Sequence, residues 1–468
     1  MFNRRPKKIQ LPTKQRKMFS RRSAEPVGIR LPANMQDKRS VFPTKKTPPS
    51  TGHIRPSASR PLNAVRPNRR RQFSLIASNA VLACSIAFAW PAAMGTVSLT
   101  RNEIWGLDQF SIKQSLSADF QKNQLPENIL LPDHLKKTGF VHYSIDTELQ
   151  KAMQAELKKY RPDYGMIVAM DAETGKILTM TDIQRNGDQT DNLNLKATYP
   201  AASVFKTITA AAAIDLGKAD AKTVLPYNGK PTSLYKKQVL NHKKNKWTQH
   251  KTLEQAFSKS VNTVFARLGI YTIGGDALMD YADRFLFNHP VVSDLPIQPS
   301  SIEMDPADQW SVAETASGYT RGTNISPLHG AMLASAMIND GVMVAPNIVE
   351  TVTDSHGIIL FEADTPKRYQ TVTAETAAQM RKLMQRTVTS GSASRMFRGF
   401  KKRFEHLEVG GKTGSLTGFH PKGKYDWFVG YATDGKRKIA YAVLCINKEF
   451  WYVKSSHLAR RLIENIFS

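Results

Sequence analysis

Apolar residues recur along this 468-residue chain with two different periods, and the change of period marks the predicted elements. Leu149, Met153 and Leu157 recur every four positions, which predicts a helix with one apolar face. Residues 164–170 and 177–180 are instead rich in apolar strand-forming residues and are separated by the turn-forming run Asp-Ala-Glu-Thr-Gly. This pattern predicts two strands joined as a hairpin.

A second group of strands is predicted near the end of the chain, at residues 408–414, 425–433 and 438–446. The last two are joined by Asp434-Gly435, a dipeptide typical of a tight hairpin turn. Most of the remaining periodic segments are helical in pattern. The predicted helices span residues 205–216, 252–268, 328–338, 374–388 and, at the end of the chain, 456–467.

Strands at both ends with helices between them predict an α/β (α+β) domain. Its antiparallel five-stranded sheet is assembled from both ends of the domain, and a helical lobe is inserted between them. A cleft between this lobe and the sheet edge is the expected active site.

The basic charge of the chain is concentrated at its start. Residues 1–71 hold 20 Lys and Arg against two acidic residues, so they carry +18 of the formal net charge of +27. They also hold 10 of the 25 prolines and show no periodic apolar pattern. Such a stretch does not bury enough surface to offset the entropy of ordering and predicts a disordered tail. The charge therefore belongs to the tail, and no nucleic-acid partner is expected.

An uncharged segment, residues 72–100, follows the tail directly. About 20 helical residues cross the ~30 Å hydrocarbon layer, so the segment predicts a transmembrane helix. Three alternatives remain: a cleaved signal peptide with a small-x-small site at residues 87–89, a twin-arginine export signal at residues 70–73, and a buried soluble helix.

Arginines 69–71 precede this segment and sparser charge follows it. The positive-inside rule then predicts a cytoplasmic N-terminus and an extracytoplasmic body held by a single membrane pass. Residues 101–140 are expected to be an extracytoplasmic linker, and residues 141–468 to form the folded domain.

Cysteine content excludes two classes of protein. Cys84 and Cys445 are the two cysteines of the chain, too few for a disulfide scaffold and without a Cys-x-x-Cys spacing for zinc or redox chemistry. Both are expected to be small apolar filler residues.

Three short motifs carry the candidate chemistry, and each is weak alone. Ser203 and Lys206 are three residues apart at the start of a predicted helix, so they share a face, and a neutral lysine amine there can accept the serine proton. Ser260 and Asn262 fall within the predicted helix 252–268. A Gly-Gly-Lys-Thr-Gly-Ser run ends the first late strand, where glycines permit close backbone approach and the other side chains offer donors for a carboxylate.

In this order, and each on its expected element, the motifs resemble the Ser-x-x-Lys, Ser-x-Asn and Lys-Thr-Gly motifs of penicillin-binding transpeptidases and serine β-lactamases. The resemblance covers roughly residues 141–468. It includes further segments at residues 146–150, 169–178, 325–329 and 426–431.

The resemblance implies a role for each motif residue. Ser203 would attack the carbonyl of the penultimate D-alanine of a peptidoglycan stem peptide. Lys206 would be its base, with a pKa lowered by burial and by the charge of Lys412. Ser260 would relay a proton, and Asn262 would hold the stem-peptide amide.

The same resemblance implies a binding strand for the substrate. Lys412, Thr413 and the Ser415 hydroxyl would bind the terminal carboxylate, with Gly414 between them. The backbone N–H groups of Ser203 and Ser415 would form the oxyanion hole. No metal and no cofactor are expected.

The implied activity is a D,D-transpeptidase inhibited by β-lactams, and water as the acceptor would make it a carboxypeptidase instead. A β-lactamase is disfavoured because no Glu-x-x-x-Asn run lies between Asn262 and Lys412, and a β-lactam sensor because the chain has no His-Glu-x-x-His. A scaffold that keeps the fold without turnover also remains.

The expected partners are stem peptides, β-lactams, the inner membrane and other cell-wall synthesis or division proteins. Because about 40 residues separate the predicted membrane helix from the domain, the chain is expected to be a reduced, monofunctional form of the family. The lysine-rich residues 236–251, which include Trp247, are expected to be a solvated loop near the cleft or a contact for anionic wall polymers.

Overall fold

We describe the protein from a computed structural model. It describes residues 9–10, 101–135, 138–186, 191–241 and 243–468. The predicted tail and membrane helix lie outside these residues, apart from one strand of two residues. Within the described ranges, no helix combines the length and the apolar character needed to cross a bilayer.

The strands are listed here in chain order: β1 Ile9–Gln10, β2 Asn128–Leu130, β3 Thr138–Tyr143, β4 Tyr164–Asp171, β5 Ile177–Gln184, β6 Tyr199–Pro200, β7 Val224–Tyr227, β8 Gln249–Thr252, β9 Ser301–Ile302, β10 Thr323–Ile325, β11 Val342–Val344, β12 Val349–Thr353, β13 Ile359–Glu362, β14 Arg368–Gln370, β15 Glu408–Phe419, β16 Lys422–Thr433, β17 Lys438–Asn447 and β18 Phe450–Trp451.

The α-helices follow the same order: α1 Arg101–Trp105, α2 Gln109–Gln121, α3 Thr147–Tyr160, α4 Lys206–Asp215, α5 Lys236–Leu240, α6 Leu253–Ser258, α7 Asn262–Arg267, α8 Gly275–Arg284, α9 Gln309–Ala316, α10 Pro327–Ile338, α11 Ala374–Thr389, α12 Phe400–Arg403 and α13 Ser455–Ile466. A 3₁₀ turn, Ala202–Phe205, leads directly into α4, and a π-helical turn, Leu268–Ile273, follows α7.

The central sheet has five antiparallel strands in the order β15-β16-β17-β4-β5. The predicted hairpin supplies β4 and β5, and the three late strands complete the sheet, so it is assembled from both ends of the domain as expected. β15 is an edge strand and extends five residues beyond the predicted end at 414. This edge faces the inserted helices and carries the third motif.

The two faces of the sheet belong to two different hydrophobic cores. Along β17, Ala442 and Leu444 lie in one core and Val443 and Cys445 in the other, as the alternation of a strand requires. α10 packs on the first face, and α3 and α13 pack on the second. Cys445 is fully buried and is a free thiol, which agrees with its expected role as an apolar filler.

Residues 101–140 do not form the expected linker. They fold into α1, α2, β2 and most of β3, and Leu107, Leu116 and Phe120 are buried in the main core. β3 pairs with β12, more than 200 residues later in the chain. The apolar stripe of α2 was obscured by the polar residues between its members, and β3 gains its partner only in the tertiary structure.

The predicted continuous helix over residues 252–268 is wrong. α6 ends at Ser258, and the chain breaks at Ser260, whose φ of 56° is left-handed, before α7 begins at Asn262. At the break, the backbone N–H of Asn262 donates to Pro231 O at 2.8 Å instead of continuing a helix. The second motif therefore lies at a corner between two helices.

Candidate active site

The turn that carries Ser203 is fixed by close contacts on two sides. The indole N–H of Trp427 in β16 donates to Pro200 O at 2.9 Å, which attaches the turn to the sheet. Ala202 has a left-handed φ of 49°. Gly318 lies against it, because a Cβ at position 318 would come within 1.9 Å of Ala202 O. These contacts hold Ser203 within the 3₁₀ turn Ala202–Phe205, which leads into α4 at Lys206.

Lys206 is completely buried, and its amine lies within hydrogen-bonding distance of three oxygen atoms. Nζ is 2.7 Å from Ser203 Oγ and donates at 2.8 Å to Asn262 Oδ1. It also donates to the backbone carbonyl of Ser317. Two of these three partners, the amide oxygen and the carbonyl oxygen, are acceptors only.

A second buried lysine, Lys412 in β15, stands next to Ser260. Its Nζ donates to Ser260 Oγ at 3.0 Å and to the carbonyl of Thr413 at 2.8 Å. Ser260 and Lys412 thus form one hydrogen-bonded group, and Ser203, Lys206 and Asn262 form another. Among the described residues, no hydrogen bond joins Lys206 to Ser260.

The electrostatics of the site follow from the burial of both amines. Burial lowers the pKa of Lys206 well below its usual value, and the neighbouring charge of Lys412 lowers it further. Burial also lowers the pKa of Lys412, to about 7. Both effects favour the neutral form of the Lys206 amine, while Lys412 is poised between its two protonation states near pH 7.

Asn262 is engaged on both sides of its side-chain amide. Oδ1 accepts from Lys206, and Nδ2 donates to Thr232 O at 3.0 Å. The side chain is 6% exposed. In this structure Asn262 orients Lys206, and the contact with a substrate amide that the sequence predicts remains a prediction.

The other residues of the third motif lie along the sheet edge. Thr413 Oγ1 is 2.6 Å from Ser392 Oγ. Ser415 is exposed, and its hydroxyl donates to the buried carboxylate of Asp426 at 3.4 Å, across the strand pair. Gly414 packs against the turn that carries Ser203, with its Cβ position 3.2 Å from Val204 Cγ2 and 3.3 Å from Ala201 O.

Three contacts at the site were missed from the sequence: the Ser317 carbonyl, the close approach of Gly318 and the Ser392 hydroxyl. Each comes from a loop after a helix, more than 100 residues from Lys206 or about 20 residues from Thr413. None of the three positions belongs to a recognisable motif. A glycine after α9 was the one available signal, and it does not indicate what it approaches.

The geometry combines a serine hydroxyl, a buried amine able to accept its proton, and a second amine at the edge of an accessible strand. Ser203 also precedes the N-terminus of α4, where the helix dipole favours negative charge. Such a constellation is suited to acyl transfer through a serine ester.

Comparison with known proteins agrees with this geometry. Residues 165–468 match the family model of the penicillin binding protein transpeptidase domain. The chain is similar to the peptidoglycan D,D-transpeptidase PbpA of Mycolicibacterium smegmatis, with 26% identity over 312 residues, which are 60% of this chain and 62% of that protein. It is also similar to the probable peptidoglycan D,D-transpeptidase FtsI of Caulobacter vibrioides, with 28% identity over 298 residues, 60% of this chain and 47% of that protein. The chain thus matches less than two thirds of either relative's length.

Solved structures show the same fold. The D,D-transpeptidase domain of a peptidoglycan glycosyltransferase from Eggerthella lenta superposes with a TM-score of 0.58 at 24% identity, covering 70% of this chain and 82% of that one. Penicillin-binding protein A from M. tuberculosis, solved as a ceftriaxone acyl-enzyme complex, superposes with a TM-score of 0.57 at 22% identity, covering 70% and 80%. Since the family model covers well over half of the sequence, the chain belongs to the penicillin-binding protein transpeptidase family.

Proposed function

We propose that the chain is a peptidoglycan D,D-transpeptidase that works through a Ser203 acyl-enzyme and is inhibited by β-lactams. The observation that carries the proposal is the contact of Ser203 Oγ with the buried amine of Lys206, at 2.7 Å. The curated relatives are named as transpeptidases of this substrate.

The partners of Lys206 determine the direction of proton transfer. A neutral amine has two N–H donors and one lone pair. Asn262 Oδ1 and the Ser317 carbonyl accept the two donors, because neither atom carries a hydrogen. The lone pair is then left for Ser203, the one partner of the three with a proton to give. Lys206 is thereby oriented as the general base for Ser203.

In the proposed reaction, Ser203 Oγ bonds to the carbonyl carbon of the penultimate D-alanine as its proton moves to Lys206 Nζ. The backbone N–H groups of Ser203 and Ser415 hold the oxyanion, each of which is worth about 2.7–4 kcal/mol in comparable sites. Collapse breaks the amide bond, and terminal D-alanine leaves after its nitrogen receives a proton. Ser260, bonded to Lys412, is placed to deliver that proton.

The strand edge is the proposed carboxylate site. The terminal carboxylate is bound by protonated Lys412, by Thr413 and by the Ser415 hydroxyl. Gly414 keeps the strand close to the turn that carries Ser203. An amine of a second stem peptide then attacks the ester and forms the cross-link. Water in place of the amine would make the protein a carboxypeptidase, which is the second candidate.

The nucleophile is tested by covalent labelling with a fluorescent penicillin. The wild-type protein should form a stable adduct, and Ser203→Ala should form none. Undiminished labelling of Ser203→Ala would refute the assignment of the nucleophile. With a stem pentapeptide and an amine acceptor, a cross-linked product supports transpeptidation, whereas release of D-alanine alone would establish the carboxypeptidase.

We also propose that residues 72–100 anchor the domain to the inner membrane, with residues 1–71 in the cytoplasm and the catalytic body in the periplasm. The uncharged stretch after a basic tail supports this topology. Other cell-wall synthesis or division proteins are the proposed partners there. A reporter fused after Ser468 that is active in the cytoplasm and inactive outside it would refute the topology.

A further inference from the structure

The lysine-rich insertion between β7 and β8 has no part in the proposed chemistry. It comprises residues 228–248, which hold six lysines and no acidic residue. Lys243, Lys244 and Lys246 near its tip are exposed. Within the described residues, none of these three forms an ion pair. Lysines that are close in sequence and have no carboxylate partner give this surface a positive charge, which favours an anionic partner.

An exposed aromatic residue accompanies these charges. Trp247 is 73% exposed, although large apolar side chains usually find cover. Its backbone is held in place, since its N–H donates to Asn245 Oδ1 at 2.8 Å and Asn245 N–H donates to Thr248 Oγ1 at 2.9 Å. Lys246 Nζ lies 5.2 Å from the centre of the indole ring. The tip therefore presents a flat apolar surface beside positive charge.

The insertion is attached to the active site. The side chain and backbone N–H of Asn262 donate to the carbonyls of Thr232 and Pro231 at its base. Asn228 Nδ2 donates to Lys243 O at 3.2 Å, which ties the tip back to the base. Three residues span at most about 11 Å, and the Asn228 side chain and the two hydrogen bonds complete the path, so the Lys243 backbone lies within roughly 25 Å of Asn262.

Packing keeps the insertion in this position. Leu234 and Val239 are buried with Ala266 and Ala313 of the lobe, and Arg267 donates to Val239 O at 2.8 Å. Lys236 stands over the ring of Trp310 at 5.3 Å. The exposed lysines and Trp247 are thus carried by a folded base on the lobe.

We propose that this insertion is a binding subsite for the peptidoglycan strand that carries the stem peptide. Its lysines bind the carboxylates of neighbouring stem peptides, and Trp247 packs against the apolar face of a sugar ring. The subsite would hold the polymer next to the cleft while the stem peptide reaches Ser203. This inference rests on the proposed function, because the partner is the proposed substrate.

The test measures retention of the full chain, purified in detergent, on insoluble peptidoglycan. We expect Lys243→Ala/Lys244→Ala/Lys246→Ala to lower retention at least fivefold at low ionic strength, and Trp247→Ala to lower it about threefold. Retention of the wild-type protein should fall as salt is raised, since exposed charges are screened over ~10 Å at 0.1 M and ~3 Å at 1 M. Peptidoglycan whose carboxylates are amidated should retain the wild-type protein as weakly as the triple variant is retained.

A matched control removes the same charge elsewhere. Lys401→Ala/Lys402→Ala/Arg403→Ala, on exposed residues of α12, should keep wild-type retention. Equal losses in the two triple variants, or unchanged retention of the insertion variant, would overturn the subsite.

Failure of the subsite and failure of the proposed function give different results. The Ser203→Ala protein should be retained like wild type, and the insertion variants should react with fluorescent penicillin at the wild-type rate. A wild-type protein that is retained but never labelled refutes the function alone.

Discussion

At the scale of single residues, the site is built on two amines removed from water. Lys206 and Lys412 are fully buried, and their hydrogen-bond partners are hydroxyl, amide and carbonyl oxygens rather than carboxylates. Burying an ammonium ion without a counter-ion is costly, so both lysines favour the neutral form. The ring centre of Phe265 lies 5.7 Å from Lys206 Nζ, and that of Phe257 lies 5.4 Å from Lys412 Nζ. Cation–π attraction to these rings offsets part of the cost when either amine is charged.

A substitution of Asn262 is the most direct way to change the balance between the neutral and ammonium forms of Lys206. Asn262→Asp keeps the shape of the side chain and puts a carboxylate where Oδ1 now stands, 2.8 Å from Lys206 Nζ. A negative charge there favours the ammonium form and raises the pKa of Lys206. Since the proposed base must be neutral, the acidic limb of the pH profile for penicillin acylation should move to higher pH. Acylation rates measured between pH 5 and pH 9 check this.

Asn262→Ala is the matched control, because it removes the same hydrogen bond and adds no charge. It should slow acylation at all pH values without moving the acidic limb upward. An acidic limb that stays in place in Asn262→Asp would contradict the role of Lys206 as the base.

At the scale of elements, the motifs lie where regular structure is interrupted. Ser203 lies in the 3₁₀ turn that begins with the left-handed Ala202, and Ser260 is itself left-handed at the corner between α6 and α7. The apolar periodicity of the sequence predicts that these regions are helical and that β4 and β5 form a hairpin. It does not predict the corner at Ser260, because that corner depends on the hydrogen bonds that Asn262 N–H donates to Pro231 O and that Lys412 Nζ donates to Ser260 Oγ.

The same limit explains which parts of the site were predictable. The spacing of Ser203 and Lys206 fixes their shared face within one helical turn, and the Gly-Gly-Lys-Thr-Gly-Ser run at the end of the predicted strand 408–414 places Lys412 on that strand. The Ser317 carbonyl, Gly318 and Ser392 reach the site only through tertiary packing. A single sequence contains no local pattern for such contacts.

Gly318 offers a test of how tightly the turn that carries Ser203 is held. Gly318→Ala would place a Cβ 1.9 Å from Ala202 O, so the turn or the loop after α9 must move. A displacement of about 1 Å at a reacting group costs on the order of 100-fold in rate. We therefore expect acylation by fluorescent penicillin to slow at least 100-fold in the folded variant.

The control for this variant is Gly357→Ala. Gly357 also has a positive φ, of 79°, but nothing lies within 4 Å of its Cβ position. It should lose about 1–2 kcal/mol of stability from the left-handed backbone alone and keep the wild-type acylation rate. Equal acylation rates in the two variants would mean that contact with Ala202 does not position Ser203.

At the scale of the whole molecule, the sheet draws together the two ends of the domain and leaves the lobe between them. β4 and β5 come from the start and β15 to β17 from the end. Lys206 belongs to the lobe and Lys412 to the sheet edge. Lys206 finds its partners Ser203, Asn262 and Ser317 within the lobe, whereas Lys412 of β15 contacts Ser260 of the lobe, so the site is formed where the two parts meet.

Burying Lys412 should make the stability of the domain depend on pH. Its pKa is about 7 in the folded protein, against 10.5 for an ordinary lysine. Between these values the unfolded chain binds a proton that the folded protein does not, so the free energy of unfolding rises with pH across this window. Below about pH 7 both states bind the proton, and above 10.5 neither does.

Lys412→Met removes the titratable amine, and the methionine side chain fills much of the volume of the lysine. The free energy of unfolding of the wild type, minus that of the variant, should therefore increase between pH 7 and pH 10, by an amount on the order of a few kcal/mol. Denaturant unfolding at several pH values measures the difference and cancels the groups common to both proteins. Lys246→Met, at an exposed position, should give a curve parallel to wild type. A Lys412→Met curve that also runs parallel to wild type would show that Lys412 keeps its proton in the folded domain. The proposed carboxylate site would then carry a permanent positive charge.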